Sequence, residues 1–222
     1  MNRTVFNTPI VSWLFALISR VALKLFGWKI TGRPPKENRY VMIAVPHTSN
    51  YDFFLTLGMA FACRTNIHWM GKKSLFRWPF GPVMRWLGGI SVDRSQRANA
   101  VDAMIEQFKK NKEFILTIAP EGTRSKVKQW KSGFYHIACG ANVPIVLGFL
   151  NHNAKEGGFG PSFKPCGNIQ LDLPLIIAEY RELIGDLANR LPRADQVQIQ
   201  PAVTKVINQV FNSDSSNKTK VD

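Results

Sequence analysis

The chain has 222 residues, 45% of them hydrophobic, with 15 Phe and 6 Trp, which suits one large folded domain and excludes a disordered polar chain. Its three cysteines, Cys63, Cys139 and Cys166, have no CxxC spacing, which points away from a disulfide framework or zinc cluster and toward a reducing compartment. A formal net charge of +14 at pH 7 calls for an anionic counterpart: nucleic acid, an anionic bilayer, or phosphorylated or CoA-like substrates.

Residues 9–30 read PIVSWLFALISRVALKLFGWKI. The apolar run before Arg20 is about ten residues, short of the roughly 20 a spanning helix needs, and only Arg3 precedes it, unlike a signal peptide. On a helical wheel Ile10, Trp13, Leu14, Leu17, Val21, Leu25 and Trp28 share a broad face, with Ser12, Ser19 and Arg20 largely elsewhere. That pattern fits a helix lying in a membrane interface, or one packed on the protein's own core. GRPPKEN (32–38) reads as a linker.

YVMIAV (40–45) is a buried strand by composition, and Thr48, Ser49 and Asn50 are N-cap types ahead of an apolar helix over 52–63. His47 therefore stands just past a strand end, where α/β sheets place their chemistry. Further on, 66–71 reads as a strand, 72–88 as two short helices broken by Pro79 and Pro82, 89–92 as a strand and 95–110 as a helix. FILTIA (114–119) is a buried strand, 134–140 a helix stopped by Gly140, and 143–150 another strand. NIQLDL (168–173) alternates like an edge strand, and helices are expected over 176–191 and 201–211 before a frayed tail. Strands alternating with helices predict one α/β domain, a mainly parallel, mixed sheet covered by helices. The expected organisation is a membrane-associating amphipathic segment over 1–31, a catalytic domain over 32–210 and a flexible tail over 211–222.

Asp52, in the first turn of its helix, is placed to face back toward His47. A carboxylate on one imidazole nitrogen fixes the tautomer and leaves the other nitrogen as a base, although a local cap at the helix start uses the same residues. No GxSxG elbow is present, so the nucleophile is expected on the substrate, and a hydroxyl is the natural choice. APEGTRS (119–125) follows the strongest strand and can assemble backbone N–H groups with Arg124 into an anion pocket. GGISVDR (88–94) repeats the arrangement and ends on Arg94. GGFG (157–160) follows no strand and is no dinucleotide fingerprint. KKSLFRWPF (72–80) interleaves cations and aromatics, which suits either single-stranded nucleic acid or a bilayer interface. His68, His136 and His152 lack ligand-like spacing, so no bound metal is expected. His136 reads as a satisfied interior residue, His152 as a loop residue, and Cys139 and Cys166 as core fillers.

HTSNYD, GGISVDR, EGTRS and VPIV, in that order, resemble the four sequence blocks of the glycerolipid acyltransferases related to bacterial 1-acylglycerol-3-phosphate acyltransferase. The resemblance implies transfer of an acyl chain from acyl-CoA or acyl-acyl carrier protein to the hydroxyl of a lysolipid acceptor, with lysophosphatidate the first choice. It implies His47 as the base and Asp52 as its orienting carboxylate. Gly89 and Arg94 match residues linked to acceptor binding, and Glu121, Gly122, Thr123 and Arg124 the phosphate-side group. Val143, Pro144 and Ile145 match the fourth block, whose role is less settled. Ser91 and Leu147 depart from the family pattern, where a bulky apolar residue and a second proline are usual. The implied setting is the cytoplasmic face of an anionic bacterial inner membrane, with no cofactor and no nucleic-acid partner.

Overall fold

Strand β2 (Arg39–Val45) is the centre of the molecule, and its side chains alternate between two cores. The computed structural model describes residues 4–93 and 97–192. Val41, Ile43 and Val45 face one side of the sheet, while Tyr40 and Met42 face the other. Both faces are covered, which is why the strand reads as an unbroken apolar run.

The remaining strands are β1 (Lys29–Thr31), β3 (Ile67–Lys72), β4 (Gly89–Val92), β5 (Phe114–Ile118), β6 (Ile145–Asn151) and β7 (Glu156–Phe163). They form one sheet in the order β1-β7-β6-β2-β5-β3-β4. β6, β2, β5, β3 and β4 run parallel; β7 pairs antiparallel with β6, and β1 runs parallel to β7. This is the mixed, mainly parallel sheet expected. The register sets Val45 beside Phe149 of β6 and Ile43 beside Ile118 of β5. The loops after β2, β5 and β6 therefore leave from one edge, side by side.

Helices α1 (Pro9–Leu25) and α2 (Tyr51–Ala62) cover one face, with α4 (Arg97–Lys110), α5 (Gly133–Ala141) and α6 (Ile169–Ile184) on the other. Between β3 and β4 the two prolines split the chain as expected, into a 3-10 turn (Lys73–Phe76) and the short α3 (Gly81–Trp86). From α6, the Tyr180 hydroxyl lies 2.7 Å from the Ile43 carbonyl and 2.9 Å from that of Gly148, bracing β2 against β6.

The structure corrects several expectations. NIQLDL is the start of α6, not an edge strand. Asn168 caps it by accepting the Gln170 N–H at 3.0 Å, and Ile169, Leu173, Ile176, Ile177, Tyr180 and Ile184 form a buried stripe of helical spacing. Gly140 does not stop α5; Asn142 does, in a left-handed conformation at φ 49°. Residues 29–31 and 156–163 are strands that composition hid. In β7 a side chain on Gly158 would strike the Thr31 carbonyl, so glycine there permits close pairing with β1. Cys166 is exposed, since it sits in the turn ahead of α6 and not in the core. His136 is interior, but among the described residues neither ring nitrogen has a hydrogen-bond partner. The helix expected over 201–211, the tail over 211–222, and Arg94 lie outside the described residues.

α1 ends at Leu25, and a turn through Gly27 (φ 75°) leads into β1. Ala16 and Leu23 are buried, Phe15 packs on Phe61 at 5.1 Å, and Arg20 Nε donates to the Ala62 carbonyl at 3.0 Å. Ile10, Trp13, Leu14, Leu17, Ile18, Val21 and Leu25 are exposed. Six of the seven wheel residues thus point away from the protein; Trp28, beyond the helix, is buried.

Candidate active site

The loop after β2 delivers His47, and the first turn of α2 returns Asp52 toward it. His47 Nδ1 lies 3.5 Å from Asp52 Oδ2, long for a hydrogen bond but close for a charge–dipole contact; such contacts often tighten only when substrate is bound. Nδ1 toward the carboxylate leaves Nε2 on the far side of a ring that is 28% exposed, whereas Asp52 is 2% exposed.

Asp52 is held by its own loop. Its Oδ2 accepts the N–H groups of Thr48 and of Ser49 (2.8 Å) and the Thr48 hydroxyl (3.2 Å), and Oδ1 accepts the Ser49 hydroxyl (3.1 Å). A short loop rich in N-cap residues supplies donors that close on a carboxylate one turn ahead. Burial pushes the Asp52 carboxyl up, but His47, the Ser49 and Thr48 amides and His152 outweigh it and hold the group well below the usual carboxylate range. Asp52 is therefore a fixed anion, able to orient a neutral imidazole and to stabilise the imidazolium.

The turn after β5 reaches the same place. Glu121 is buried, and its Oε2 accepts the His47 backbone N–H at 2.8 Å. Gly122 adopts φ 64°, a left-handed conformation that side chains rarely take, so this bend is suited to glycine. Thr123 and Arg124 follow on the exposed rim.

Not every expected site residue joins them. Gly89 opens β4 at the opposite edge, where a side chain would strike Trp69, Phe76 and the Met84 carbonyl. Val143, Pro144 and Ile145 precede or begin β6, and the Pro144 carbonyl accepts the Val41 N–H at 3.0 Å. A seven-residue strand separates them from the site edge, about 20 Å at the ordinary rise. His152, expected as an ordinary loop histidine, stands in the site: its Nε2 is 2.7 Å from Asp52 Oδ1. The one available signal was its position just past a strand end, much as His47 stands two residues past β2. Among the described residues no group of three His, Cys, Asp or Glu could hold a metal ion.

A strand-end imidazole on a buried carboxylate, beside an arginine-bearing turn and with no serine elbow, is the equipment of a transferase that activates a substrate hydroxyl. The comparisons agree. A model of the Acyltransferase family matches residues 29–146. The 1-acyl-sn-glycerol-3-phosphate acyltransferase of Salmonella typhimurium is 33% identical over 175 residues, 74% of this chain and 70% of that relative. The enzyme of the same name from Haemophilus influenzae is 34% identical over 131 residues, 55% of this chain and 53% of its own. In fold, the chain is similar to the crystal structure of the 1-acyl-sn-glycerophosphate (LPA) acyltransferase PlsC of Thermotoga maritima, with a TM-score of 0.52 at 16% identity over 81% of this chain and 78% of that one. The chain belongs to the acyltransferase family and is an O-acyltransferase.

Proposed function

We propose that this enzyme acylates the free hydroxyl of lysophosphatidate, using acyl-CoA or acyl-acyl carrier protein, at an anionic membrane surface. The observation that carries the reading is the His47–Asp52 pair at the strand edge, 3.5 Å apart and joined to the EGTR turn through Glu121. Relatives named for the same acceptor support it.

His47 acts as general base through Nε2. An alcohol is far too weak an acid to ionise first, so its proton passes to Nε2 while the oxygen attacks the thioester carbonyl, a contribution of roughly 10²–10⁴-fold in rate. Asp52 stabilises the imidazolium formed. When the tetrahedral adduct collapses, the C–S bond breaks, the new C–O ester bond remains, and the imidazolium returns the proton to the departing sulfur. Arg124 and Arg94 bind the acceptor phosphate, for which forked guanidinium donors are suited. A phosphate monoester already carrying one chain satisfies both the arginines and the apolar outer face of α1, which lies in the cytoplasmic leaflet. No described helix is long and apolar enough to cross a membrane, so α1 is proposed to lie along the interface.

The test is a product panel. Purified protein receives a labelled acyl thioester with glycerol 3-phosphate, lysophosphatidate, lysophospholipids, acylated amino acids or water, and products are identified by mass. Preferential formation of diacylglycerol phosphate supports the reading. Transfer only to a neutral, amino-acid or diester acceptor rejects lysophosphatidate, and release to water alone makes the protein a thioesterase.

A further inference from the structure

Asp52 touches two histidines, and the closer one lies outside the pair that the motif supplies. His152 Nε2 is 2.7 Å from Oδ1, while His47 Nδ1 is 3.5 Å from Oδ2. His152 comes from a different strand, directly after β6, one hundred residues from Asp52 in sequence. Each carboxylate oxygen therefore has its own imidazole.

We infer that His152 is a positioning residue for acyl transfer, holding Asp52 Oδ1 through an Nε2–H donor so that Oδ2 stays directed at His47. This rests on the reading of His47 and Asp52 as the reacting pair. An ionised carboxylate only accepts hydrogen bonds, so a contact of 2.7 Å requires hydrogen on His152 Nε2. The loop donors alone do not fix the carboxylate equally on both sides. Oδ2 takes two backbone amides, while the loop gives Oδ1 only the Ser49 hydroxyl at 3.1 Å and a marginal Thr48 contact at 3.5 Å. A hydroxyl can rotate to another acceptor, whereas an imidazole seated by its surroundings cannot.

His152 is seated in this way. Its ring meets Trp28 edge-to-face, with centroids 5.3 Å apart and planes at 89°. Trp28 is buried between the end of α1 and β1. The loop after β6 is pinned by Asn151, whose Oδ1 accepts the N–H groups of Asn153 (3.1 Å) and Ala154 (3.0 Å). The Lys29 N–H donates to the Lys155 carbonyl at 2.9 Å, and Lys155 Nζ donates to the Phe26 carbonyl at 3.2 Å. The turn out of α1 thus holds the loop that holds His152, and His152 holds the carboxylate. A misplacement of about 1 Å at such a group can cost roughly 100-fold in rate, which gives the contact its leverage.

The test compares His152→Phe, which keeps a ring against Trp28 but has no donor, with His152→Gln, which keeps a donor, and with His47→Ala. With acyl-CoA and lysophosphatidate, H152F is expected to lower kcat about tenfold or more, with KM for both substrates within about twofold of the parent. H152Q is expected to recover most of that loss, and H47A to be inactive. In the unmodified protein labelled with ¹⁵N-histidine, the His152 ring should carry its proton on Nε2, a measurement that does not depend on any variant folding. Normal kcat in H152F with an inactive H47A overturns the inference and leaves the reacting pair intact. Equal losses in H152F and H152Q, or an Nδ1–H tautomer, overturn it as well. An active, folded H47A removes the reacting pair itself and the inference with it.

Discussion

The backbone N–H of His47 donates to the buried carboxylate of Glu121 at 2.8 Å, so the turn after β5 fixes the main chain that carries the proposed base. The EGTR block thereby serves two ends: Glu121 faces inward to the histidine loop, while Arg124 stands on the rim.

Glu121→Ala leaves the His47 N–H without this acceptor, a loss of about 1–3 kcal/mol by the usual penalty for a stranded buried group. Glu121→Gln retains a carbonyl acceptor and should lose less. Urea titration should rank the parent first, E121Q second and E121A last. If Glu121 acts by holding His47, kcat should fall in the same order while KM for the phosphorylated acceptor changes little; a rise confined to that KM would assign it to supporting the groups that bind the acceptor phosphate.

His47→Ala should abolish acyl transfer while leaving stability within about 1 kcal/mol, because the ring is partly exposed and packs little. Asp52→Asn should be nearly as damaging to kcat and more damaging to stability. Its amide oxygen can replace only one of the two carboxylate oxygens, so the NH₂ group must face either the Thr48 and Ser49 amides or His152 Nε2. Near-normal turnover by folded H47A ends the assignment.

Arg124→Ala should raise KM for lysophosphatidate more than for the acyl donor, and Arg124→Lys should not restore it, since an ammonium lacks the guanidinium fork. Steady-state kinetics with each substrate varied in turn decides this. Equal effects on both would assign the residue to the fold or to the phosphates of the donor.

The central layer was legible because a strand buried on both faces announces itself in composition: YVMIAV and FILTIA needed no context. The His47–Asp52 pair was legible because both members lie within one loop and one helical turn. His152 was not, because its partner is set by the pairing of β6 with β2, a non-local fact. β7 was hidden for a related reason: its glycines answer close approaches by neighbouring strands, Gly158 to the Thr31 carbonyl of β1 and Gly157 and Gly160 to the Phe149 and Leu147 carbonyls of β6, and look like loop when read alone. NIQLDL misled because Ile169, Leu171 and Leu173 alternate, while the stripe that proves a helix appears only when Ile176, Ile177 and Tyr180 are added. Glu121 was expected in the phosphate-side group, and only the juxtaposition of two loops shows its contact with the His47 backbone.

Acid should destabilise this protein earlier than its carboxylates would. Burial lowers the His136 imidazole from 6.5 to about 4, and burial is also the main cause lowering His68 to about 4. Between those values the unfolded chain binds protons that the native rings refuse, so stability is full above pH 6.5 and falls as pH drops toward 4. Each ring accounts for about 2 kcal/mol between pH 7.5 and 5. Asp52, shifted in the opposite sense, contributes stability above its ordinary 3.8 and loses it only at lower pH. Urea midpoints at pH 7.5 and 5 should converge in His136→Leu relative to the parent; an unchanged difference would show that the ring is not buried neutral.

The outer face of α1 puts a magnitude on the proposed membrane attachment. Trp13, Leu17 and Val21 recur every four residues and are 55%, 46% and 50% exposed, so their outer halves stand clear of the described residues. Transferring those halves to a bilayer boundary is worth about 1 kcal/mol each. Replacing all three with serine should therefore cost roughly 3 kcal/mol of membrane partitioning, about 100-fold in the binding constant. Folding stability should change far less, because the inner face, with Ala16, Leu23 and Phe15 on Phe61, is untouched. Flotation with vesicles containing anionic lipid measures both contributions. Raising salt should weaken binding of the parent by screening its cationic surplus yet leave an apolar remainder, and the triple variant should lose that remainder. Equal flotation of parent and variant at high salt would show that α1 does not enter the bilayer and that its apolar face serves another contact.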